Sequence, residues 1–352
     1  MAEQGVGAPG WVGATFRFRR ASVPVGHTVR AALCVGLPVV VGFAIDDVVF
    51  GATIGLACVL RTIGERTGPH RVNVRNLLVA TPLAACGYLF APAQDLPLAA
   101  LVALMAAVAF GAGVLSVRSE AGALGSMQLL LVTSIAIGVP DTGVVRSLGL
   151  FFLGAGIYAA CMAVDYLVLE PEPEPASPPA ARAAAHGASG WAVDRSTVRL
   201  AGRLALCFGI AVSARGWFEL EHWYWVPATV GLVMQPSFGS VPGRALLRAV
   251  GTAAGAVVAG LVIGAGLDGT ALGIAIGLLA ATIPWAKLAS YALQSAALAA
   301  VVLLLVDQVD PASTVGLPVQ RIAATVIGSA IVFVFGFAVW PEARRLEAAL
   351  PG

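Results

Sequence analysis

Arginine is the residue type whose placement in this 352-residue chain could support binding chemistry. A guanidinium group binds a carboxylate through two parallel hydrogen bonds and keeps its charge at any cellular pH. Arg30 and Arg203 begin one pair of similar apolar runs, and Arg75 and Arg248 begin another. These four arginines are either anchors at the lipid headgroups or side chains that concentrate organic anions.

Two further arginines and two glutamines fall where a binding site is expected. Arg146 and Arg321 lie at the opposite end of their apolar runs from most other basic residues, which makes them the strongest candidates for contact with an anion. Gln128 and Gln294 lie inside apolar runs, where an amide either joins neighbouring helices or lines a cavity.

Two carboxylates are candidates for a coupling ion. Asp165 and Asp307 lie within or at the end of apolar runs, and an acidic side chain there is a candidate carrier of a proton or cation. Both also lie close enough to a run's end to be simply hydrated. The segment Trp223-Tyr-Trp-Val-Pro227 either forms an interfacial aromatic belt or stacks on an aromatic substrate.

Motifs of enzymes and metal sites are missing from the sequence. The single lysine, Lys287, has no glycine-rich phosphate loop before it, and there is no Gly-x-Ser-x-Gly turn. The histidines and cysteines show no metal-ligand or disulfide spacing. They are His27, His70, His186, His222, Cys34, Cys58, Cys86, Cys161 and Cys207. We therefore expect no enzyme activity, no cofactor, no metal and no nucleic-acid partner.

The composition indicates the environment of the chain, water or a lipid bilayer. Hydrophobic residues make up 59% of the chain and charged residues 11%, against about 45–50% and 25% in soluble domains. This excludes a soluble enzyme, a disulfide scaffold and a disordered chain. The sequence predicts an all-α polytopic membrane protein whose partners are the lipid bilayer and a small organic anion, with homo-oligomerisation left open.

Apolar runs of roughly 20 residues, the length that spans a bilayer, occur about twelve times. The second and eighth are short and contain or adjoin Pro and Gly. The runs cover 28–45, 47–63, 73–91, 96–117, 121–139, 144–168, 198–215, 223–238, 245–264, 270–286, 288–307 and 318–340.

Charge placement predicts how these runs are oriented. With the N-terminus inside, all of the 21 lysines and arginines except Arg146, Arg215 and Arg321 fall on the cytoplasmic side. An even number of spans then places both termini in the cytoplasm, and we expect a multi-pass protein of the plasma membrane.

The two halves of the sequence resemble each other. Arg30-Ala-Ala-Leu-Cys-Val-Gly36 aligns with Arg203-Leu-Ala-Leu-Cys-Phe-Gly209, 173 positions later, and further matches follow in the same order. We predict two parallel six-helix repeats, because an even span number inserts both copies the same way round, with a cavity on their pseudo-twofold axis. The predicted units are a lead at 1–27, repeats at 28–169 and 198–340, a Pro/Ala-rich cytoplasmic linker at 170–197 and a tail at 341–352.

Residues 223–264 resemble the core of the fusaric-acid-resistance-like family of membrane transporters, which are also described as aromatic acid exporters. The matching features are the aromatic-Pro-Ala-Thr start, the Pro236-Ser-Phe-Gly239 turn, Arg244-xxx-Arg248 and Gly251-Thr252 with Gly255. The resemblance implies membrane transport, and specifically the efflux of aromatic or other organic acids.

Two alternatives remain open at the level of the sequence. Gly64-Glu-Arg-Thr-Gly68 followed by Arg71 is similar to the loop motif of major facilitator transporters, which also have twelve spans. A membrane scaffold or accessory subunit that transports nothing is the second alternative. Paired arginines that line a hydrated cavity favour transport, whereas arginines directed to the headgroups favour the scaffold.

Overall fold

The computed structural model describes residues 22–66, 70–139, 143–168, 194–218, 220–234, 241–309 and 316–340. Over these ranges the chain is helical, with short turns between helices and no strand. Most of the predicted lead and linker and all of the predicted tail lie outside the described residues.

The described residues form twelve helices, six in each half of the sequence. The first half contains α1 (Val25–Ala44), α2 (Val48–Gly64), α3 (His70–Ala85), α4 (Leu98–Ser116), α5 (Glu120–Ala136) and α6 (Val144–Val168). The second half contains α7 (Arg195–Ser213), α8 (Trp225–Val233), α9 (Val241–Gly264), α10 (Gly269–Ala289), α11 (Tyr291–Val309) and α12 (Leu317–Ile331). A 3₁₀ segment, Cys86–Asp95, extends α3, and a π-helical segment, Val332–Ala338, extends α12.

Length and composition confirm a multi-pass helical membrane protein. In the described ranges, nine helical segments are long and apolar enough to cross a bilayer. The other three are α2 and α5, with 17 residues each, and α8, with nine. Two of these short helices, α2 and α8, occupy the second and eighth apolar runs.

Three of the described helices have an N-cap residue whose side chain accepts a backbone hydrogen bond. Asp47 accepts a hydrogen bond from the Phe50 amide (3.0 Å) at the start of α2. Ser119 accepts one from Gly122 (2.9 Å) at α5, and Asp194 accepts one at α7. Such caps satisfy amides that the first helical turn leaves without a partner.

Helix packing places four helices in the middle of the bundle. The closest pairs are α1 with α10, α4 with α7, α3 with α5, and α9 with α11, while α2 packs on α6 and α8 on α12. Across the two halves, α2 also contacts α11 and α5 contacts α8. The four helices α2, α5, α8 and α11 therefore meet centrally, and α8 is buried along its whole length.

Small residues allow the halves to approach closely. A Cβ atom added to Gly36 of α1 would lie 2.7 Å from the Gly273 carbonyl oxygen and 2.9 Å from Gly277 Cα of α10. On the other side, a Cβ on Gly113 of α4 would lie 2.7 Å from Ala201 Cα of α7. Because lipid gives no hydrophobic drive for helices to associate, such backbone contacts provide much of the packing energy.

The outer helices expose apolar side chains to their surroundings. Leu33 and Leu37 of α1, Leu153 of α6 and Leu261 of α9 are all exposed. A surface of this kind is suited to the bilayer, and it leaves the buried polar residues as the candidates for function.

Candidate functional site

A cavity of about 100 Å³ lies between the two halves, at the end of the bundle where α2 begins and α11 ends. Its walls come from α2, the 3₁₀ segment after α3, α5, α6, α11 and the turn before α8, with Val49, Leu56, Ile135 and Val306 among the apolar lining residues. The polar groups that line it are Thr53, Tyr88, Ser147, Glu221, His222 and Tyr224. An apolar pocket with few polar groups is typical of a small-molecule site.

A hydrogen-bonded group connects this cavity to α12. The His222 Nδ1 atom lies 2.9 Å from Gln320 Oε1, and the Gln320 amide nitrogen donates to Glu221 Oε2 at 3.3 Å. Gln320 directly precedes Arg321 in α12. The cavity wall and the arginine are therefore held by the same helical turn.

Aromatic rings lead from the cavity to Arg321. The ring centroids of Tyr224 and Trp225 are 4.9 Å apart, and the Arg321 guanidinium carbon lies 3.9 Å from the centre of the Trp225 ring. Arg321 is only 2% exposed, and its Nε and Nη1 atoms have no hydrogen-bond partner. A stacked guanidinium with free N–H groups behind an aromatic wall is suited to holding the carboxylate of an aromatic acid.

Arg248 is a second buried cation in the same half. It is 2% exposed, and its Nε and Nη2 atoms have no hydrogen-bond partner. The positive charges of Arg248 and Arg321 are close enough to interact electrostatically. Within the ranges that the structure describes, neither arginine forms an ion pair, so the second half contains two buried positive charges without a countercharge.

In the first half, the buried Arg30 is paired with carboxylates, unlike Arg248 and Arg321. Arg30 of α1 donates to the carboxylates of both Glu65 and Asp165, and the Tyr158 hydroxyl donates to Glu65 Oε2 at 2.5 Å. Lys287 of α10 donates to the backbone oxygens of Ile63 (3.0 Å) and Glu65. This network closes the end of α2 that lies away from the cavity and neutralises the charge of Arg30.

Gln128 is part of a neighbouring network in the first half. Its side-chain oxygen accepts from Arg61, its nitrogen donates to the Leu60 oxygen (2.7 Å), and Arg61 also donates to Thr81 Oγ1 (2.7 Å). Gln128 is fully buried here, and it joins helices and accepts one hydrogen bond from Arg61. Its counterpart Gln294 in α11 is half-buried.

The other sequence-predicted residues lie apart from the cavity and the buried arginines of the second half. Arg146 forms an exposed ion pair with Asp47 (2.5 Å). Arg75 is exposed, and Arg203 donates to the Gly336 carbonyl with its guanidinium 5.7 Å from the Trp340 ring centre. Asp307 is half-buried near the end of α11.

Several site residues were not singled out as candidates in the sequence. Glu65, Arg61 and Tyr158 belong to the first-half networks, and His222 lines the cavity. Arg61 lies within α2 rather than in a loop after it. The four-residue spacing of Arg61 and Glu65 at the end of an apolar run was the one available signal, because it places both side chains on one helical face.

The geometry therefore favours the binding of an anion. Arginine can only donate hydrogen bonds, so groups that accept them are the natural ligands of Arg248 and Arg321. Among the described residues, no three His, Cys, Asp or Glu side chains are grouped closely enough to hold a metal ion.

Comparison with known proteins supports the same class. Residues 206–335 match the family described as fusaric acid resistance protein-like. No curated protein and no solved structure matches the chain. This match and the helical membrane architecture together support a membrane transporter-type protein. The resemblance predicted from the motif at 223–264 is thus confirmed, because residues 206–335 are similar to the fusaric acid resistance protein-like family.

Proposed function

We propose that the protein exports organic anions, with aromatic carboxylates as its main substrates, across the plasma membrane. The observation that supports this most directly is the pair of buried arginines, Arg248 and Arg321, with free N–H groups and no carboxylate beside them in the described residues. A buried charge without a partner is costly, and a substrate anion would neutralise it.

The arrangement of aromatic rings supports an aromatic substrate. A ring entering the cavity would contact apolar side chains from α2, α5 and α11 and the Tyr224 ring. Its carboxylate would reach Arg321 by displacing or passing the Trp225 ring. Stacking with offset or edge-to-face rings adds about 0.5–1.5 kcal/mol per pair, which favours aromatic over aliphatic acids.

The helix pairings support two parallel six-helix copies. Several prominent contacts occur in matching pairs: α3–α5 corresponds to α9–α11, α2–α6 to α8–α12, and, between the halves, α1–α10 to α7–α4. In this proposal the pseudo-twofold axis runs between α2, α5, α8 and α11, where the cavity lies. Both termini lie in the cytoplasm, so the cavity opens toward the outside.

The coupling groups are proposed to be Asp165 and Asp307. Asp165 is in contact with Arg30, and its side chain is about one-third exposed, so that water and ions can reach it. Asp307 lies near the cavity end of α11, next to the lining residue Val306.

Flux in vesicles that contain the purified protein tests the proposal. We expect uptake of radiolabelled benzoate above that of empty vesicles, and no uptake of benzamide or benzylamine, which keep the ring but lack the negative charge. An imposed pH gradient separates coupled from passive flow. Equal flux of all three compounds, or none of benzoate, would contradict the proposal, and the absence of flux for any organic anion would favour the scaffold.

A further inference from the structure

Four buried polar atoms without hydrogen-bond partners belong to residues at the contact between α9 and α11. They are Nε and Nη2 of Arg248, Oγ1 of Thr252 and Oγ of Ser295, and both hydroxyl residues are fully buried. Buried polar groups in folded proteins nearly always have partners, and a group without one commonly marks an ion or water that belongs there.

The hydroxyls of Thr252 and Ser295, like those of Ser126, Thr133 and Ser329, lack the partner that other buried hydroxyls of the bundle find within their own helix. Thr229 donates to the Trp225 oxygen (2.9 Å), Thr325 to the Arg321 oxygen (2.8 Å) and Ser134 to the Leu130 oxygen (2.7 Å), each within its own helix. That bond is the usual solution for a hydroxyl inside a helix. Thr252 and Ser295 do not form it, so their hydrogen-bonding capacity is available to a ligand.

The geometry of the α9–α11 contact brings the four atoms together. Arg248 and Thr252 are four residues apart and share one face of α9. A Cβ atom added to the intervening Gly251 would lie 2.7 Å from Ser295 Cβ, so Ser295 is directly across the contact. Tyr291, one turn before Ser295, interacts electrostatically with Arg248 and donates its hydroxyl to the Leu232 oxygen (3.3 Å).

We propose that Arg248, Thr252 and Ser295 form a second anion-binding site, which takes a carboxylate or another small oxyanion. The guanidinium supplies N–H donors, and the two hydroxyls donate to the remaining oxygen. A water molecule would satisfy the hydrogen bonds but would leave the charge of Arg248 uncompensated, whereas an oxyanion satisfies both. The ligand class rests on the proposed function.

This second site lies toward the end of the bundle opposite the cavity. Ser295 precedes the cavity-lining Val306 by eleven positions in α11, which corresponds to roughly 16 Å at the helical rise. An exported anion therefore has two binding positions along the second half, first at Arg248 and then at Arg321. Because the two sites interact electrostatically, an anion bound at one of them weakens the attraction of the other for a second anion.

Anion-dependent stabilisation of the purified protein tests the site without relying on transport. The unfolding temperature is measured in detergent with sodium benzoate, acetate or sulfate at constant ionic strength, because a ligand of the folded state raises it. All variants carry Arg321→Gln, so that the remaining shift reports on Arg248. The test variant adds Thr252→Val and Ser295→Ala, and the control adds Thr325→Val and Ser134→Ala, which remove hydroxyls already bonded within their helices.

We expect at least a threefold weaker apparent affinity in the test variant and an unchanged affinity in the control. A shift with benzoate and acetate but not sulfate assigns the site to carboxylates, and a shift with sulfate as well assigns it to oxyanions in general. Equal shifts of the unfolding temperature in both variants would overturn the proposal. The absence of a shift with any anion would also overturn it, because water alone would then occupy the site. Benzoate flux in the unmodified protein is scored separately, so a failure of transport is distinguishable from a failure of this site.

Discussion

Replacing Arg321 with methionine should make the protein more stable while removing its anion site. The two unpartnered N–H groups of Arg321 cost about 1–3 kcal/mol each. The contact of its guanidinium with the Trp225 ring at 3.9 Å offsets about 2 kcal/mol of this. Methionine fills a similar volume without polar atoms, so we expect Arg321→Met to gain about 2 kcal/mol in the absence of anions.

Arg30→Met is the matched comparison, because Arg30 is equally buried but paired. Its loss leaves the buried Glu65 carboxylate without its cation, which costs about 3–5 kcal/mol. Both variants are measured by denaturant unfolding in detergent micelles. Benzoate at one hundred times its Kd should add about 2.7 kcal/mol to the wild-type protein and far less to Arg321→Met. A destabilised Arg321→Met in anion-free buffer would show that Arg321 is a structural residue and would refute the reasoning.

Three further predictions concern the stability of the fold. Gly36→Ala should lower the free energy of unfolding by about 1–3 kcal/mol, because the added Cβ would clash with the α10 backbone. Gly149→Ala is the control, since Gly149 has open space around it, and its unfolding curve should match that of the wild-type protein. Gln128→Leu removes one of the two side-chain acceptors of the buried Arg61 guanidinium and should cost about 1–3 kcal/mol. This is well above the expected cost of Gln294→Leu at the half-buried matching position, and equal losses would contradict the prediction. Hydrogen bonds from the residues that follow Asp194 lower the pKa of its carboxyl group to about 2, below the unfolded value of about 3.9. The carboxylate should therefore stabilise the folded state above about pH 4 and lose this effect toward about pH 2. Unfolding curves of Asp194→Asn should lack this pH dependence.

The membrane class and the family could be predicted from the sequence because they depend on local features. Twelve apolar runs correspond to the twelve described helices, and the motif around Arg244 and Arg248 lies within the segment that matches the fusaric acid resistance protein-like family. The short helix α8 could not be delimited, because Pro227 and the apolar residues after it continue the hydrophobic run beyond Val233. Hydropathy detects an apolar run, but it does not show where the helical backbone within the run ends.

The distinction between paired and unpaired arginines could not be predicted. Arg146 and Arg321 occupy matching positions in the sequence, yet one forms an exposed ion pair with Asp47 and the other is buried against Trp225. Partners of this kind lie about 100 residues away in the chain, and only the packing of α12 on α8 brings Trp225 to Arg321. Similarly, the acidic partners of Arg30 come from the end of α2 and from α6.

Benzoate flux through Arg321→Gln, measured beside Arg146→Gln, tests the central claim most directly. The two variants make the same chemical change at matching positions, one at a buried unpaired arginine and one at an exposed paired arginine. The account predicts that Arg321→Gln reduces flux in vesicles at least tenfold, whereas Arg146→Gln retains most of it. Equal flux in the two variants, or a selective loss in Arg146→Gln, would contradict the claim that the buried arginines of the second half hold the transported anion.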